Sequence, residues 1–240
     1  MLHYDFDWLM LTRPALRTLL IQGLGYTIVV ALASSVLSFA LGAALAMARF
    51  WPTGWLTHAA RAWVEIVRNI PGLFWILFFY FALPELLPFG SVLHAWPHYA
   101  LVAATLGLAL DNGAYLSDIL LNGMTKIPSG QRDAAASCGL SLWKECLWLL
   151  CPQSLRSMAP ALTNRMVHNF KNTSLCIAIA LPELTWATQQ IESITFKSLE
   201  VTLVATLIYA FGSFLIVALM KRILGHTSSL SSQSDRAHGF

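Results

Sequence analysis

The sequence predicts an all-α integral membrane protein with five transmembrane helices, and three observations carry that prediction. Of its 240 residues, 57% are hydrophobic and only 11% are charged, whereas a soluble domain carries about 25% charged residues. Charges are missing over several runs long enough to cross the hydrocarbon, which takes roughly 20 apolar residues per helix. Lysine and arginine also gather in alternate connections, the asymmetry that sets orientation in a membrane.

The elements follow in order. Residues 1–17 read as an external interfacial segment, because the aromatic rings of Tyr4, Phe6 and Trp8 suit the membrane–water boundary. The segment is acidic where a signal peptide would be basic, and it lacks an apolar core ending in small residues. No charge falls between Arg17 and Arg49, which places the first span at about 18–48. The uncharged stretches from Arg68 to Glu85 and from Glu85 to Asp111 place the second and third at about 62–84 and 98–124. Asn69-Ile70-Pro71 marks a helix entry or kink within the second. The fourth span, about 155–181, contains Arg156, Arg165, His168 and Lys171, but Leu175 to Leu181 is apolar and the length suffices. The fifth, about 199–223, is uncharged between Glu200 and Lys221. Residues 18–224 therefore form one transmembrane domain, and the Ser-rich stretch 225–240 a polar tail expected to be disordered.

Arg49, Arg61 and Arg68 lie between the first two spans, Lys126, Arg132, Lys144 and Arg156 around the connection between the third and fourth, and Lys221, Arg222 and Arg236 after the fifth. Asp5, Asp7, Glu85, Glu183, Glu192 and Glu200 collect on the other side, with Arg13, Arg17 and Lys197 the exceptions. The N-terminus is thus expected outside, the C-terminus inside, and the loop 126–152 in the cytoplasm. The net charge of +3 follows from this asymmetry and gives no support to nucleic-acid binding. Cys138, Cys146, Cys151 and Cys176 form no Cys-x-x-Cys pair, and His58, His94, His98 and His168 stand alone, so no metal, disulfide or cofactor is expected. Trp75, Phe78, Phe79, Tyr80 and Phe81 are expected to pack against lipid or other helices.

The loop 126–152 is the polar interruption that a passive connector does not need. Pro128 should end the preceding helix, Ser129 can cap a new one, and Asp133 then falls in its first turn, where the helix dipole favours an acid. Ala134, Ala135 and Ala136 keep that helix slim, and Gly139 permits a sharp turn. Ser141 can cap a second short helix before Pro152 redirects the chain. Two short helices joined at a glycine can enter a groove of another protein, or simply lie on the membrane; spacing alone leaves both open.

The run Asp133-Ala134-Ala135, then Gly139, then Pro152 resembles the EAA loop of ABC importer permeases, with Asp133 in place of the usual Glu. More of the chain is similar to the polar amino acid branch, of histidine, glutamine, glutamate/aspartate, arginine and opine type. The pieces are Gly25-Tyr26-Thr27, Glu65-Ile-Val-Arg68-Asn69-Ile-Pro71, Ala114-Tyr115, Ile127-Pro128-Ser-Gly130-Gln131, Lys171-Asn172-Thr173-Ser174-Leu175 and Pro182-Glu183-Leu184-Thr185. The resemblance implies a type I ABC importer fold, with Asp133, Ala134, Ala135, Gly139 and Pro152 coupling to a cytoplasmic ATPase. It implies as partners an identical or sister permease, two ATP-binding subunits, an external solute-binding protein, an amino-acid substrate and membrane lipid. The opening Tyr4-Asp-Phe-Asp-Trp8 leans towards glutamate/aspartate permeases. The chain carries no Gly-Lys pair and hence no P-loop, so ATP hydrolysis must belong to another subunit.

Asp111, beside Asn112 in the third span, is the outstanding intramembrane charge. Such a charge costs about 2.5–3.5 kcal/mol on insertion scales and faces a cavity or a partner. Asp111 and Asn112 are therefore candidates for the substrate pathway, with an arginine or a helix start as the alternative partner. The resemblance places Asn172, Thr173 and Ser174 on the pathway too, though interhelical hydrogen bonding is an equal use for them. Glu183 is expected at the external end, facing the binding protein. An ion-coupled secondary transporter of small polar solutes is the alternative reading; it would usually show paired repeats, and none is found. A membrane scaffold would need neither Asp111 nor the patterned loop. No serine or cysteine sits in a catalytic motif.

Overall fold

A computed structural model describes residues 6–50, 54–88 and 90–224. The first five residues and the tail 225–240, on which the interfacial and disordered-tail readings partly rest, lie outside the described residues. Every regular element described is helical. After a 3-10 turn, Trp8–Thr12, come α1 (Pro14–Phe50), α2 (Trp55–Asn69), α3 (Gly72–Leu86), α4 (Gly90–Ala95), α5 (Tyr99–Thr125) and α6 (Ser129–Ser137). Then follow α7 (142–157), α8 (Ala159–Asn172), a 3-10 segment Thr173–Ile179, α9 (Leu184–Thr195) and α10 (Ser198–Leu224).

Among the described residues, α1, α5 and α10 are each long and apolar enough to cross a membrane, and α2 with α3 makes a fourth candidate if the bent pair is one span. α1 starts at Pro14, earlier than position 18, because proline's fixed φ and missing N–H suit the first turn. The expected second span is interrupted at Ile70–Pro71: proline drives the residue before it out of helical backbone. α2 buries Thr57, Ala60, Val64 and Val67, a helical spacing of three and four, and exposes Arg61, Glu65 and Arg68.

The expected fourth span, 155–181, is not one continuous α-helix. It breaks at Met158, resumes as α8, tightens into the 3-10 segment and ends at Ala180 with φ +54°. Two local causes act there. Thr173 Oγ1 and Ser174 Oγ donate back to the carbonyls of Phe170 (2.7 Å) and Lys171 (2.8 Å), drawing the backbone from its regular pattern. Pro182 then disfavours helical geometry at Leu181.

The chain divides into two compact units. The first comprises Met1–Leu37, Ile70–Asp111 and His168–Phe214. Its core is built on Val30, Ile76, Ala104, Leu108, Cys176 and Ile179, with a second cluster of Met10, Leu16, Ile191 and Val201. Gly107 lets α5 approach the backbone of Ile76: a Cβ there would sit 2.7 Å from that residue's Cα. The second unit comprises Ser38–Asn69, Asn112–Val167 and Leu215–Phe240. Leu116, Leu120 and Met124 of α5 pack there with Ala46 of α1, Cys146 and Leu150 of α7, and Leu162 of α8. Gly123 makes room for Ser154, whose Oγ donates to the Leu120 carbonyl at 2.8 Å. Small residues at crossings are the usual means of close helix packing in membranes. α10 leaves Leu207, Phe211 and Leu219 largely exposed, a surface matched to lipid.

Candidate functional site

The loop after α5 belongs to the second unit. Pro128, in extended backbone, occupies the cap position of α6, and Ser129 is its first helical residue. The expected Ser129 cap is therefore absent, and Asp133 falls in the second turn rather than the first. Proline takes the cap position because its φ of −56° leads directly into the helix. The far end closes as the sequence predicts. Gly139 adopts φ +72°, the Gly139 N–H donates to Ala136 O (2.9 Å), and the Leu140 N–H donates to Ala135 O (3.1 Å). That pair of bonds is the glycine-ended helix stop in which left-handed backbone satisfies the last carbonyls. α6 buries no residue: Asp133, Ala134 and Gly139 are exposed and Ala135 is half-buried.

Beyond Gly139 the structure departs from two short helices ended at Pro152. Ser141 stands at the cap of α7 without a side-chain bond, and the helix runs through Pro152 to Ser157. It widens to π-helical pitch over Glu145–Leu150, just before the proline. A proline cannot donate to the preceding turn and its ring crowds that turn; a local π-bulge accommodates both without a break. Arg132 Nε donates to Glu145 Oε1 at 2.8 Å, and the guanidinium lies 4.8 Å from the centroid of the Phe50 ring. Gln153 Nε2 donates to Gln131 Oε1 at 3.0 Å.

The second unit also holds a basic cluster that sequence reasoning did not assemble. Asn112, 1% exposed, donates to Ser38 Oγ (2.7 Å) and accepts from Arg165 Nε (2.6 Å). Arg165 lies 4.0 Å from the Tyr115 ring centroid and Arg68 lies 4.9 Å from it. Asp118 pairs with Arg68 and with Arg49, the latter at 2.6 Å, and Arg49 also donates to Ser117 Oγ at 3.0 Å. Arg68 and Tyr115 were visible as motif members and Arg165 as a charge within a span. Asp118 was missed, although a second acid on the third span was the available signal.

In the first unit, Asp111 is 6% exposed, and its carboxyl packs against Gly72, the first residue of α3; a Cβ there would stand 3.2 Å from Asp111 Cγ. A helix start is one of the two partners weighed for this charge. Asn169, missed in the sequence, donates to Ser34 Oγ (2.8 Å) and Ser35 Oγ (3.0 Å). Thr173 is fully buried; Asn172 and Ser174 are half-buried, with an Asn172 Nδ2–His168 Nδ1 contact of 3.1 Å. Glu183 departs from the expected outward-facing acid, because it is 0% exposed. Its carboxylate caps α9 by accepting from the Thr185 and Trp186 amides (2.9 and 2.8 Å), and from Tyr209 Oη at 2.9 Å. Burying that acid is tolerable because three donors replace its water. A cavity of about 590 Å³ in the same unit is lined by Gln22, Tyr26, His98 and Trp186 among apolar side chains.

Known proteins align with this chain over most of its length. A family profile described as the binding-protein-dependent transport system inner membrane component matches residues 38–227. The glutamine transport system permease protein of Escherichia coli is 30% identical over 220 residues, covering 91% of this chain and 96% of the relative. The glutamate/aspartate import permease protein of Escherichia coli O157:H7 is 29% identical over 225 residues, 91% of this chain and 98% of the relative. Among solved structures, that of an amino acid ABC transporter with histidines superposes with a TM-score of 0.76 at 22% identity, covering 92% of this chain and 98% of that one. The inward-facing MetNI methionine ABC transporter superposes at 0.72 with 19% identity, covering 88% and 97%.

Proposed function

This chain belongs to the family of inner membrane components of binding-protein-dependent transport systems, and from that premise we propose that it is the permease subunit of an ATP-driven importer of polar amino acids. It is a multi-pass inner-membrane protein and not itself an ATPase; hydrolysis belongs to a separate subunit, and an external solute-binding protein delivers the substrate. The observation that carries the reading is the short, exposed helix α6, closed by Gly139, in a chain that has no P-loop. Asp133, Ala134, Ala135 and Gly139 form the docking face for the ATPase, and Pro152 shapes the helix behind it.

Two permeases, identical or sister chains, enclose the pore and engage two ATPases, with the N-terminus outside and α6 in the cytoplasm. Asp111, Asn112, Asn172, Thr173 and Ser174 are the candidates for the substrate pathway; Asn172 and Ser174 are half-buried, and Asp111, Asn112 and Thr173 are buried. Within the substrate class, glutamate and aspartate are the finer reading from the acidic N-terminal segment; glutamine permeases match the chain equally well.

The test is uptake into proteoliposomes holding the permease, its ATPase and its binding protein, against a panel of polar amino acids. ATP-dependent accumulation of one of them is expected. Uptake that continues without the ATPase would establish an ion-coupled transporter instead and overturn the reading.

A further inference from the structure

We infer that Arg132 and Glu145 form the strut by which α6 drives the transmembrane helices, which makes Arg132 a positioning residue for energy coupling. This rests on α6 being the ATPase-docking helix, as proposed above.

No residue of α6 is buried, so little apolar packing among the described residues holds it. Among the described residues, two kinds of side-chain link tie it to the rest of the second unit. Gln131 meets Gln153 between exposed and half-buried positions, a neutral bond in reach of water. Arg132 instead reaches Glu145, whose side chain is 5% exposed. The same guanidinium lies over the ring of Phe50, the last residue of α1. One side chain from an exposed helix thus touches the end of α1 and a buried acid of α7.

Glu145 is well placed to pass a push onward. It begins the π-helical stretch whose Cys146 and Leu150 pack with Leu116, Leu120 and Met124 of α5 and with Ala46 of α1. An ionised carboxylate in that setting cannot readily lose its partner, because an uncompensated buried charge is strongly unfavourable. The pair should therefore persist when α6 is moved, where a purely apolar contact would slide. A charge-assisted bond from a planar guanidinium also fixes direction as well as distance, and stacking on Phe50 adds a second constraint that an ammonium meets less well. Coupling of two sites needs an element whose state both sides bias; a rigid link from α6 into the core supplies the mechanical half of it.

The experiment compares Arg132→Gln and Arg132→Lys in the complete transporter, reconstituted with its ATPase and binding protein. Three quantities are read: complex assembled, ATP hydrolysed, and substrate carried per ATP. For Arg132→Gln, normal assembly and continued hydrolysis are expected, with substrate per ATP lowered about tenfold, within the roughly 5- to 150-fold range of typical coupling energies. Arg132→Lys, which keeps the ion pair, should retain most of the wild-type ratio. A wild-type ratio in Arg132→Gln overturns the proposal. So does loss of assembly in both variants, or a proportional fall in hydrolysis and transport, since either makes the pair a folding or docking element. If the wild-type complex itself shows no ATP-driven uptake, the permease reading fails first, which keeps the two failures distinct.

Discussion

Gly107→Ala is a single methyl group whose effect the tertiary structure reverses from the one expected of an isolated helix. Within a helix, replacing glycine by alanine stabilises by roughly 0.5–1 kcal/mol, because the unfolded chain loses less freedom. At Gly107 the new Cβ would lie 2.7 Å from both the Cα and the N of Ile76 and 2.9 Å from its Cγ1. Ordinary contact begins near 3.4 Å. Two of the three clashing atoms are backbone, so no rotamer change relieves them, and α3 and α5 must separate around the Ile76, Ala104 and Leu108 core. Overpacking costs about 1–3 kcal/mol, and the upper part of that range applies when backbone must move. After the propensity gain, the net loss is about 1–2 kcal/mol. At roughly 2–4 °C per kcal/mol for a chain of this size, the midpoint should fall by about 2–8 °C. Gly25→Ala is the internal control: it lies within α1 with nothing within 4 Å of its would-be Cβ, so its midpoint should hold or rise. The assay is a thermal melt of the purified transporter in detergent, read by loss of the monodisperse peak. A Gly107→Ala midpoint equal to or above that of Gly25→Ala would refute the packing argument.

Three further outcomes are expected. Asp118→Asn should lower stability by about 1.5–3 kcal/mol, the range for hydrogen bonds to charged groups, because it removes the carboxylate partner of Arg49, whose side chain is 13% exposed and still donates to Ser117 Oγ; Arg68, 43% exposed, adds under about 1 kcal/mol, and an unchanged melting midpoint would contradict this. Gly139→Trp should leave the transporter inserted and assembled in part but uncouple ATP-driven uptake, since Gly139 holds φ +72° at the edge of the proposed docking face; normal uptake by that variant defeats the docking assignment. A membrane-impermeant maleimide should label exposed Cys138 only from the cytoplasmic side and leave Cys146 untouched at neutral pH. Burial pushes the Cys146 thiol above its ordinary pKa, so less thiolate forms at a given pH and its labelling should begin only at higher pH. Labelling of Cys138 from outside would invert the topology.

Much of the fold was legible because membrane spans announce themselves by missing charge. α1, α5 and α10 begin and end within a few residues of the expected spans, since each needs only length and apolarity. The second and fourth spans were less legible because their shape depends on local competition. Pro71 divides the one; Thr173, Ser174 and Pro182 tighten and end the other. In the loop, Gly139 was readable because a left-handed helix stop strongly prefers glycine. The roles of Ser129 and Pro152 were misread. Pro128 takes the cap position, and a π-bulge absorbs the later proline, a choice made by packing rather than by residue type.

The sequence by itself determined the chemistry that any fold of this chain must respect. It set a helical membrane protein, with a polar loop of fixed spacing and no nucleotide motif, because composition and spacing act through solvation and backbone geometry alone. Only the tertiary structure decided which charges meet. Asp118 lies between Arg49 and Arg68, Asn112 meets Arg165, and Glu145 takes Arg132. These partners are 13 to 69 residues apart. A charge taken out of water must find its counterpart wherever packing brings one within reach, and nothing in the local sequence specifies that distance.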